Sequence, residues 1–342
     1  MRKKRKKIIL TVFLMVVLVL LIVLVTQALE NQEKTKTEKL ARTETEDYFS
    51  DYLDVHYLEL GGEIYTYSDR IENYLFIGTD HSGQEEASGE EYQGSMADFL
   101  ALLVLNCTQE KYAVIQLNRD TMAEVILMDH EGEDTGSKMM QLCTAHWYGG
   151  NTEQSCENTV DAVSNLLGEL DIDGYYAMPM DRIVDLNHAV GGVTLTVQGD
   201  FSQVDESLKE GETITLTDVQ AETYIRGRMG VGDGENLSRM SRQRQYLQAF
   251  SSQAKAKLRE DPAFAKKTLE EMKPYTTTDI NGNKISKILN RLSKYDSQGI
   301  LQLEGQASIG QALDDGIDHT EFRLDQDALR ELMTELYGLE IM

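Results

Sequence analysis

The chain is poor in the residues that break a polypeptide into pieces. It holds three prolines, Pro179, Pro262 and Pro274, in 342 residues, and no proline-rich spacer. No internal repeat and no second linker follow residue 70, so a single unit of about 270 residues is expected, at the upper end for one core. Cysteine is almost as scarce, at Cys107, Cys143 and Cys156. No C-x-x-C or H-x-x-x-H spacing occurs, which excludes the usual structural zinc arrangements. The spacing of Cys143 and Cys156 leaves a disulfide between them open, and Cys107, at the end of an apolar run, reads as a buried free thiol. Cations are scarce too. There are 33 Lys and Arg against 58 Asp and Glu, a net charge of −25, and six of those cations are Arg2, Lys3, Lys4, Arg5, Lys6 and Lys7. A chain so acidic beyond its first residues lacks the basic footprint that nucleic acid requires.

One long apolar run is present. Residues 8–25, IILTVFLMVVLVLLIVLV, carry Thr11 as their one polar side chain. Eighteen helical residues reach roughly 27 Å, close to the hydrocarbon thickness of a bilayer. The run exceeds the ~7–15 residues of a secretory signal, and TQA (26–28) is a weak cleavage match. A transmembrane helix over 8–27 is therefore predicted. The basic residues 1–7 before it place the N-terminus in the cytoplasm and the rest of the chain outside. Residues 28–69, polar and without a sustained period, read as an extracytoplasmic stalk.

From residue 70 the pattern turns globular. NYLFIG (73–78), DFLALLVLN (98–106) and YAVIQLNR (112–119) read as strands, and the second is apolar on both parities, which is the mark of a strand in mid-sheet. CTQEK, between the second and third, reads as a hairpin turn. VTLTV (193–197) is a further short strand. Helical periods follow at 157–168, 181–190, 217–228, 238–259, 262–272, 284–298 and 326–337. Strands first, then helices with a strand among them, predict an α/β fold: an α/β/α sandwich on a mixed central sheet, preceded by one N-terminal transmembrane helix. The last helix is amphipathic and is expected to pack on the domain.

The stretch YIRGRMGVGDGENLSRMSRQRQ (224–245) gathers Arg226, Arg228, Arg239, Arg242 and Arg244 against Asp233 and Glu235. TDVQ (217–220) is a capping box, so a helix begins at Thr217 and delivers Arg226 and Arg228 on its last turn. Ser238 is a plausible N-cap for the next helix. On that helix Arg239 and Gln243 are four apart and flank the apolar stripe, whereas Arg242 is expected to point to solvent, and Arg242 and Arg244 to be surface charges or lipid-headgroup contacts. Several guanidinium groups in one place fit a multivalent oxyanion such as phosphate. Upstream, Asp80 follows one strand, Asp98 opens the next, and Arg119 and Asp120 leave the third. Strand ends are where open α/β sheets collect ligands. Paired carboxylates there suit Mg²⁺ or Mn²⁺, and Arg119 suits phosphoryl charge in a transition state.

These motifs in this order (G-T-D, Asp before an apolar strand, R-D-T, AHWYGG, Y-I-R-G-R and R-M-S-R-Q) resemble the LytR-CpsA-Psr family across roughly residues 70–255. The resemblance implies a membrane-anchored, extracytoplasmic, Mg²⁺- or Mn²⁺-dependent phosphotransferase. Such enzymes move a teichoic acid or capsule-like glycopolymer from a polyprenyl-pyrophosphate carrier to a peptidoglycan hydroxyl. It implies Asp80 and Asp98 as metal ligands and Arg119, Arg226, Arg228, Arg239 and Gln243 as the pyrophosphate cradle. Asp80, Asp98 and Asp120 each stay open as the proton acceptor. Two departures stand out: Met96 and Gln141 occupy positions where the family often has Arg and Lys. A lipid-pyrophosphate phosphatase and a non-catalytic wall-polymer binding module use the same residue set. His146 reads as structural, although an imidazole there can titrate. The apolar faces of 159–168 and 181–190 read as core, or as walls of a slot for the prenyl tail.

Overall fold

A computed structural model describes residues 55–342 apart from 69, 81–93, 130 and 262–263. The transmembrane helix expected over 8–27 lies outside the described residues, as does the stalk as far as 54. Among the described residues no helix is long and apolar enough to cross a membrane.

The centre is a six-stranded mixed sheet. Its core is β3 (Ile71–Thr79), β4 (Ala97–Asn106) and β5 (Lys111–Leu117), antiparallel in sequence order. On one side β8 (Gly174–Pro179) runs parallel to β3, with the two-residue β11 (Thr277–Thr278) beyond it. On the other, β12 (Asp296–Gln302) runs parallel to β5. Successive side chains of a strand face opposite ways, so these apolar strands feed two cores. Leu75, Ile77, Leu100, Leu102 and Ile115 pack with Val163 and Leu167 on one face. Tyr74, Phe76, Ala101, Leu103 and Val114 pack with Ile285, Ile288 and Leu292 on the other.

The first face is covered by α1 (Thr152–Leu166), the hairpin β6 (Met122–Met128)–β7 (Asp134–Gln141), and the last helix. That last helix (Gln326–Tyr337), α7 in the chain order used below, buries Leu329, Met333, Leu336 and Tyr337, as its amphipathic pattern predicted. The opposite face is covered by α6 (Gly282–Lys294). Between these layers in sequence come α2 (Ile183–Val190), the hairpin β9 (Thr194–Thr196)–β10 (Thr213–Thr215), α3 (Asp218–Arg226), α4 (Asn236–Glu260) and α5 (Phe264–Met272), which share a third core around Tyr224, Tyr246 and Phe250.

Several boundaries differ from the sequence reading. The stalk does not reach residue 69: β1 (Val55–Leu60) and β2 (Glu63–Ser68) form a hairpin that buries Leu58, Leu60, Tyr65 and Tyr67 in the first core. Short β15 (Glu340–Ile341) joins it. The helix expected over 284–298 ends at Lys294, and 296–302 pairs with β5 as an outer strand. The hairpin β13 (Gly305–Gly310)–β14 (His319–Leu324) was not expected. Cys143 and Cys156 are both buried free thiols, and Cys107 is a half-buried one.

Candidate active site

Register fixes which side chains meet. Thr79 of β3 pairs with Ala97 of β4, and Leu100 of β4 with Leu117 of β5. Asp80, Asp98 and Arg119–Asp120 therefore emerge at one end of the sheet. The Asp80 carboxylate is held by the strand that follows, accepting from the Met96 N–H at 2.9 Å.

Arg119 is the hub. Its Nη1 contacts Asp98 Oδ1, its Nε lies 3.5 Å from Asp120 Oδ1, and its Nη2 lies 2.8 Å from the Met96 sulfur. Arg239 Nη1 approaches the other Asp98 oxygen at 3.6 Å, so one carboxylate sits between two guanidinium groups. Arg239 is only 4% exposed. Burial first, and then the positive charge of Arg119, push its pKa down to about 10, which still leaves it cationic at neutral pH. A buried cation that shares its carboxylate is a strong site for a further anion.

The two helix ends supply the rest. The capping box at Thr217 forms as expected: Gln220 N–H donates to Thr217 Oγ1 at 3.2 Å, and Thr217 N–H donates to Gln220 Oε1 at 2.9 Å. At the far end of α3, Arg226 donates from Nη2 to the Asp80 carbonyl at 2.8 Å and from Nη1 to Glu222 at 2.7 Å. Arg228 Nε donates to the Gly234 carbonyl at 3.1 Å, and the side chain shares a cavity wall with Arg119 and Asp120. Gln243 donates to the Ile225 carbonyl at 3.3 Å, one residue from Arg226. Asp80, Asp98, Arg119, Asp120, Arg226, Arg228, Arg239 and Gln243 thus belong to one neighbourhood.

Two arginines play other parts. Arg242, expected in solvent, is 3% exposed. It donates to the carbonyls of Tyr224 (Nε, 3.0 Å) and Gly227 (Nη2), and its guanidinium lies over the Phe201 ring. It ties down the α3 terminus that carries Arg226 and Arg228. Arg244 is half-buried rather than a surface charge and donates to Gln116 Oε1 at 2.7 Å, while Gln116 in turn donates to Gln243. Ser238 does not cap α4: the N-cap is Glu235, and Ser238 instead donates to Asp233. The earlier start makes Asn236 the first residue of the helix. Its Oδ1 accepts from Arg239 Nε and Nη2 at 3.2 and 2.7 Å, while its Nδ2 donates to Asn118 at 2.7 Å. Sequence reasoning missed this Asn236–Asn118 brace. Its one signal was Asn three residues before an arginine on a single helix face.

His146 lies 1% exposed beneath the site, with Nδ1 3.0 Å from the Ser95 carbonyl and Nε2 3.6 Å from Cys156 Sγ. Burial pushes its pKa down to about 4, so it is neutral and structural.

An apolar cleft adjoins the charged cluster. Phe99, Tyr176, Met178, Met180, Ile183 and Leu186 form walls around about 750 Å³, open mouth included, and Gln243 and Ile225 lie on the same wall. Gly78 also lines it. A Cβ at Gly78 would meet Phe99 Cβ at 2.9 Å and Met180 Cγ at 3.0 Å, so the missing side chain keeps these walls in place. The 181–190 segment does line this slot, whereas 159–168 packs in the first core away from it.

For a divalent ion, Asp80 and Asp98 offer hard oxygen donors at neighbouring strand ends. Among the described residues no group of three or more His, Cys, Asp or Glu side chains is arranged around a metal. The set fits an ion of the Mg²⁺ type, which takes one or two carboxylates and fills its shell with water and phosphate oxygens.

Comparison with known proteins places the chain in a family and agrees with the fold. A family model described as the LytR_cpsA_psr family matches residues 23–337. Halalkalibacterium halodurans TagU, named a polyisoprenyl-teichoic acid–peptidoglycan teichoic acid transferase, is 30% identical over 49% of this chain and 50% of its own length. Bacillus subtilis TagV, which carries the same description, is 30% identical over 52% of this chain and 42% of its own. The chain thus matches half or less of these two relatives' lengths. A solved Streptococcus agalactiae structure shares the fold, with a TM-score of 0.61 and 22% identity over 79% of this chain and 87% of that one.

Proposed function

The chain belongs to the LytR-CpsA-Psr family, and from that premise we propose that it is a phosphotransferase, anchored in the cell membrane with its folded domain outside, that moves an anionic glycopolymer of the teichoic acid or capsule kind from a polyprenyl-pyrophosphate carrier to peptidoglycan. One observation carries the reading. A cluster of four arginines and three carboxylates shares the wall at Ile225 and Gln243 with an apolar cleft. A ligand that fills both must have a compact polyanionic head and a long hydrocarbon tail, which describes a prenyl pyrophosphate and few other metabolites.

The residues then divide the work. Arg226, Arg228, Arg239 and Gln243 receive the two phosphates. Arg119, held by Asp98 and Asp120, is preorganised where charge grows during transfer. The acceptor hydroxyl attacks the phosphorus bonded to the polymer. The bond from that phosphorus to the bridging oxygen breaks, and its electron pair leaves with the prenyl phosphate. Phosphoryl transfer of this kind depends mostly on positioning and electrostatics, which a rigid set of guanidinium groups supplies. Asp80 and Asp98 would hold Mg²⁺ or Mn²⁺, whose chemistry when bound is to offset charge on phosphoryl oxygens. Gly78, Phe99, Met180 and Leu186 shelter the first part of the tail and exclude water from that side.

The test uses the full chain in lipid vesicles with a polyprenyl-pyrophosphate-linked glycan, with and without peptidoglycan sacculi. Covalent attachment of glycan to sacculi, with release of prenyl phosphate, is expected. Release of free glycan phosphate alone, even with sacculi present, would assign a hydrolase instead. Lipid binding without any metal-stimulated turnover would assign a binding module.

A further inference from the structure

A second, polar cavity lies against Arg119 and Arg228; the mechanism above uses its floor but places no ligand against its outer wall. Met96, Arg119, Asp120, Gln141, Thr144 and Arg228 form its floor, around about 510 Å³ with the mouth included. Its remaining wall comes from the end of the chain. The β13–β14 hairpin reaches across so that Asp318, His319 and Thr320 close the cavity. This docking is fixed by backbone: Thr121 bridges to Phe322, and Phe322 N–H donates to the Asp120 carbonyl at 2.8 Å.

The floor carries the guanidinium groups of Arg119 and Arg228, and Arg119 Nε is buried without a hydrogen-bond partner, whereas the side toward the hairpin offers unpaired acceptors. Asp120 is 5% exposed and Gln141 4%, yet Asp120 Oδ2 and Gln141 Oε1 have no hydrogen-bond partner. Gln141 is turned by the hairpin, since its Nε2 donates to the Thr320 carbonyl at 3.3 Å and leaves the oxygen over. Buried acceptors without donors are costly, about 1–3 kcal/mol each, unless something satisfies them. A phosphate on the arginine floor leaves these two oxygens unsatisfied, because it brings only acceptors. A polyhydroxylated or amide-bearing ligand can. A lysine at position 141 would have supplied donors; the glutamine leaves an acceptor.

We propose that this cavity is the acceptor subsite, and that it takes an uncharged, hydroxyl- and amide-rich sugar of the peptidoglycan glycan strand. The proposal rests on the transferase reading above and adds where the second substrate binds. The reacting hydroxyl donates to Asp120 Oδ2. As its oxygen bonds to phosphorus and the bond to the prenyl phosphate breaks, the hydroxyl proton passes to that carboxylate. An N–H or second O–H of the sugar donates to Gln141 Oε1. The hairpin residue His319, paired with Asp315 at 2.9 Å, walls the sugar in from the outer side. Lipid and acceptor then approach Arg119 from two different cavities, with the phosphorus between them.

The experiment measures binding and transfer separately on the full chain. Binding of a soluble, uncharged glycan-strand fragment is followed by titration calorimetry, and binding of a prenyl pyrophosphate by the same method. Gln141→Leu and His319→Ala should weaken fragment binding at least tenfold and raise the acceptor KM by a similar factor, with lipid affinity unchanged. His319 is partly exposed, so its variant does not endanger the fold. Asp120→Asn should lower kcat for transfer with little change in acceptor KM. If the wild type binds the fragment and both Gln141→Leu and His319→Ala bind it equally well, the subsite is wrong even where transfer occurs. If the wild type binds no lipid, the transferase reading fails, and fragment binding still decides the subsite.

Discussion

Arg119→Ala is the perturbation that separates scaffold from chemistry. Arg119 pairs with both Asp98 and Asp120, and it lies on the wall of the polar cavity. Losing one preorganised donor to transition-state charge costs about 2.7–4 kcal/mol, a fall of roughly 10²–10³ in kcat. The same change strips Asp98 of one partner. Breaking a fully buried pair costs about 3–5 kcal/mol, but Asp98 keeps Arg239 nearby, so the loss of stability should be nearer ~1–2 kcal/mol. For a domain this large that is a fall in Tm of a few degrees, about 2–4 °C per kcal/mol. The two effects part company when folding is restored without a second mutation. An osmolyte that brings the Tm of Arg119→Ala back to the wild-type value should restore none of the turnover. The assay is transfer of labelled glycan to sacculi under single-turnover conditions, beside a melting curve for each variant. Wild-type turnover in Arg119→Ala, or activity that returns when an osmolyte restores its Tm, would refute a chemical role for Arg119.

Other expectations follow from neighbouring contacts. Leu186→Trp, which fills the apolar cleft, should weaken binding of a long-chain prenyl pyrophosphate at least tenfold and leave inorganic pyrophosphate binding unchanged; equal losses for both would place the tail elsewhere. Arg242→Leu should lower stability by ~2–4 kcal/mol, because two carbonyls at the α3 terminus lose their donor, and a denaturant midpoint within error of wild type would contradict it. His146 is neutral in the fold with a pKa near 4 against an ordinary value of 6.5, so the unfolded chain binds a proton that the folded one does not. Stability from this source is present above the unfolded value and is lost as pH falls from about 6.5 toward 4, by up to ~3 kcal/mol. His146→Leu should flatten that part of the stability–pH curve, and an unchanged slope would remove the argument.

How much of this was legible in the sequence differs from part to part. Three apolar runs, the second of them doubly apolar, announced a buried sheet, and strand ends told where Asp80, Asp98, Arg119 and Asp120 would meet. The Thr217 capping box fixed the start of α3 and hence the position of Arg226 and Arg228. Local periodicity failed where partners are distant. Residues 296–298 read as the end of a helix, yet pairing of 296–302 with β5 holds them extended. Arg242 lies off the apolar stripe of α4, but α3 and its exit loop cover that side and use the guanidinium to satisfy their carbonyls. Ser238 is a good N-cap by type, but the helix begins earlier and Asn236 braces Arg239. Nothing local links Gln141 to Thr320, which are 179 residues apart, so the polar cavity and its hairpin wall were invisible before the fold was known.

The central claim is that charged cluster and apolar cleft hold one amphiphilic ligand. A crystal structure of the chain with a bound prenyl pyrophosphate tests it most directly. Phosphate oxygens are expected within hydrogen-bond distance of Arg119, Arg226, Arg228 and Arg239, with the tail lying between Phe99, Met180 and Leu186. A lipid bound on another face, or phosphates that touch none of those arginines, would contradict it.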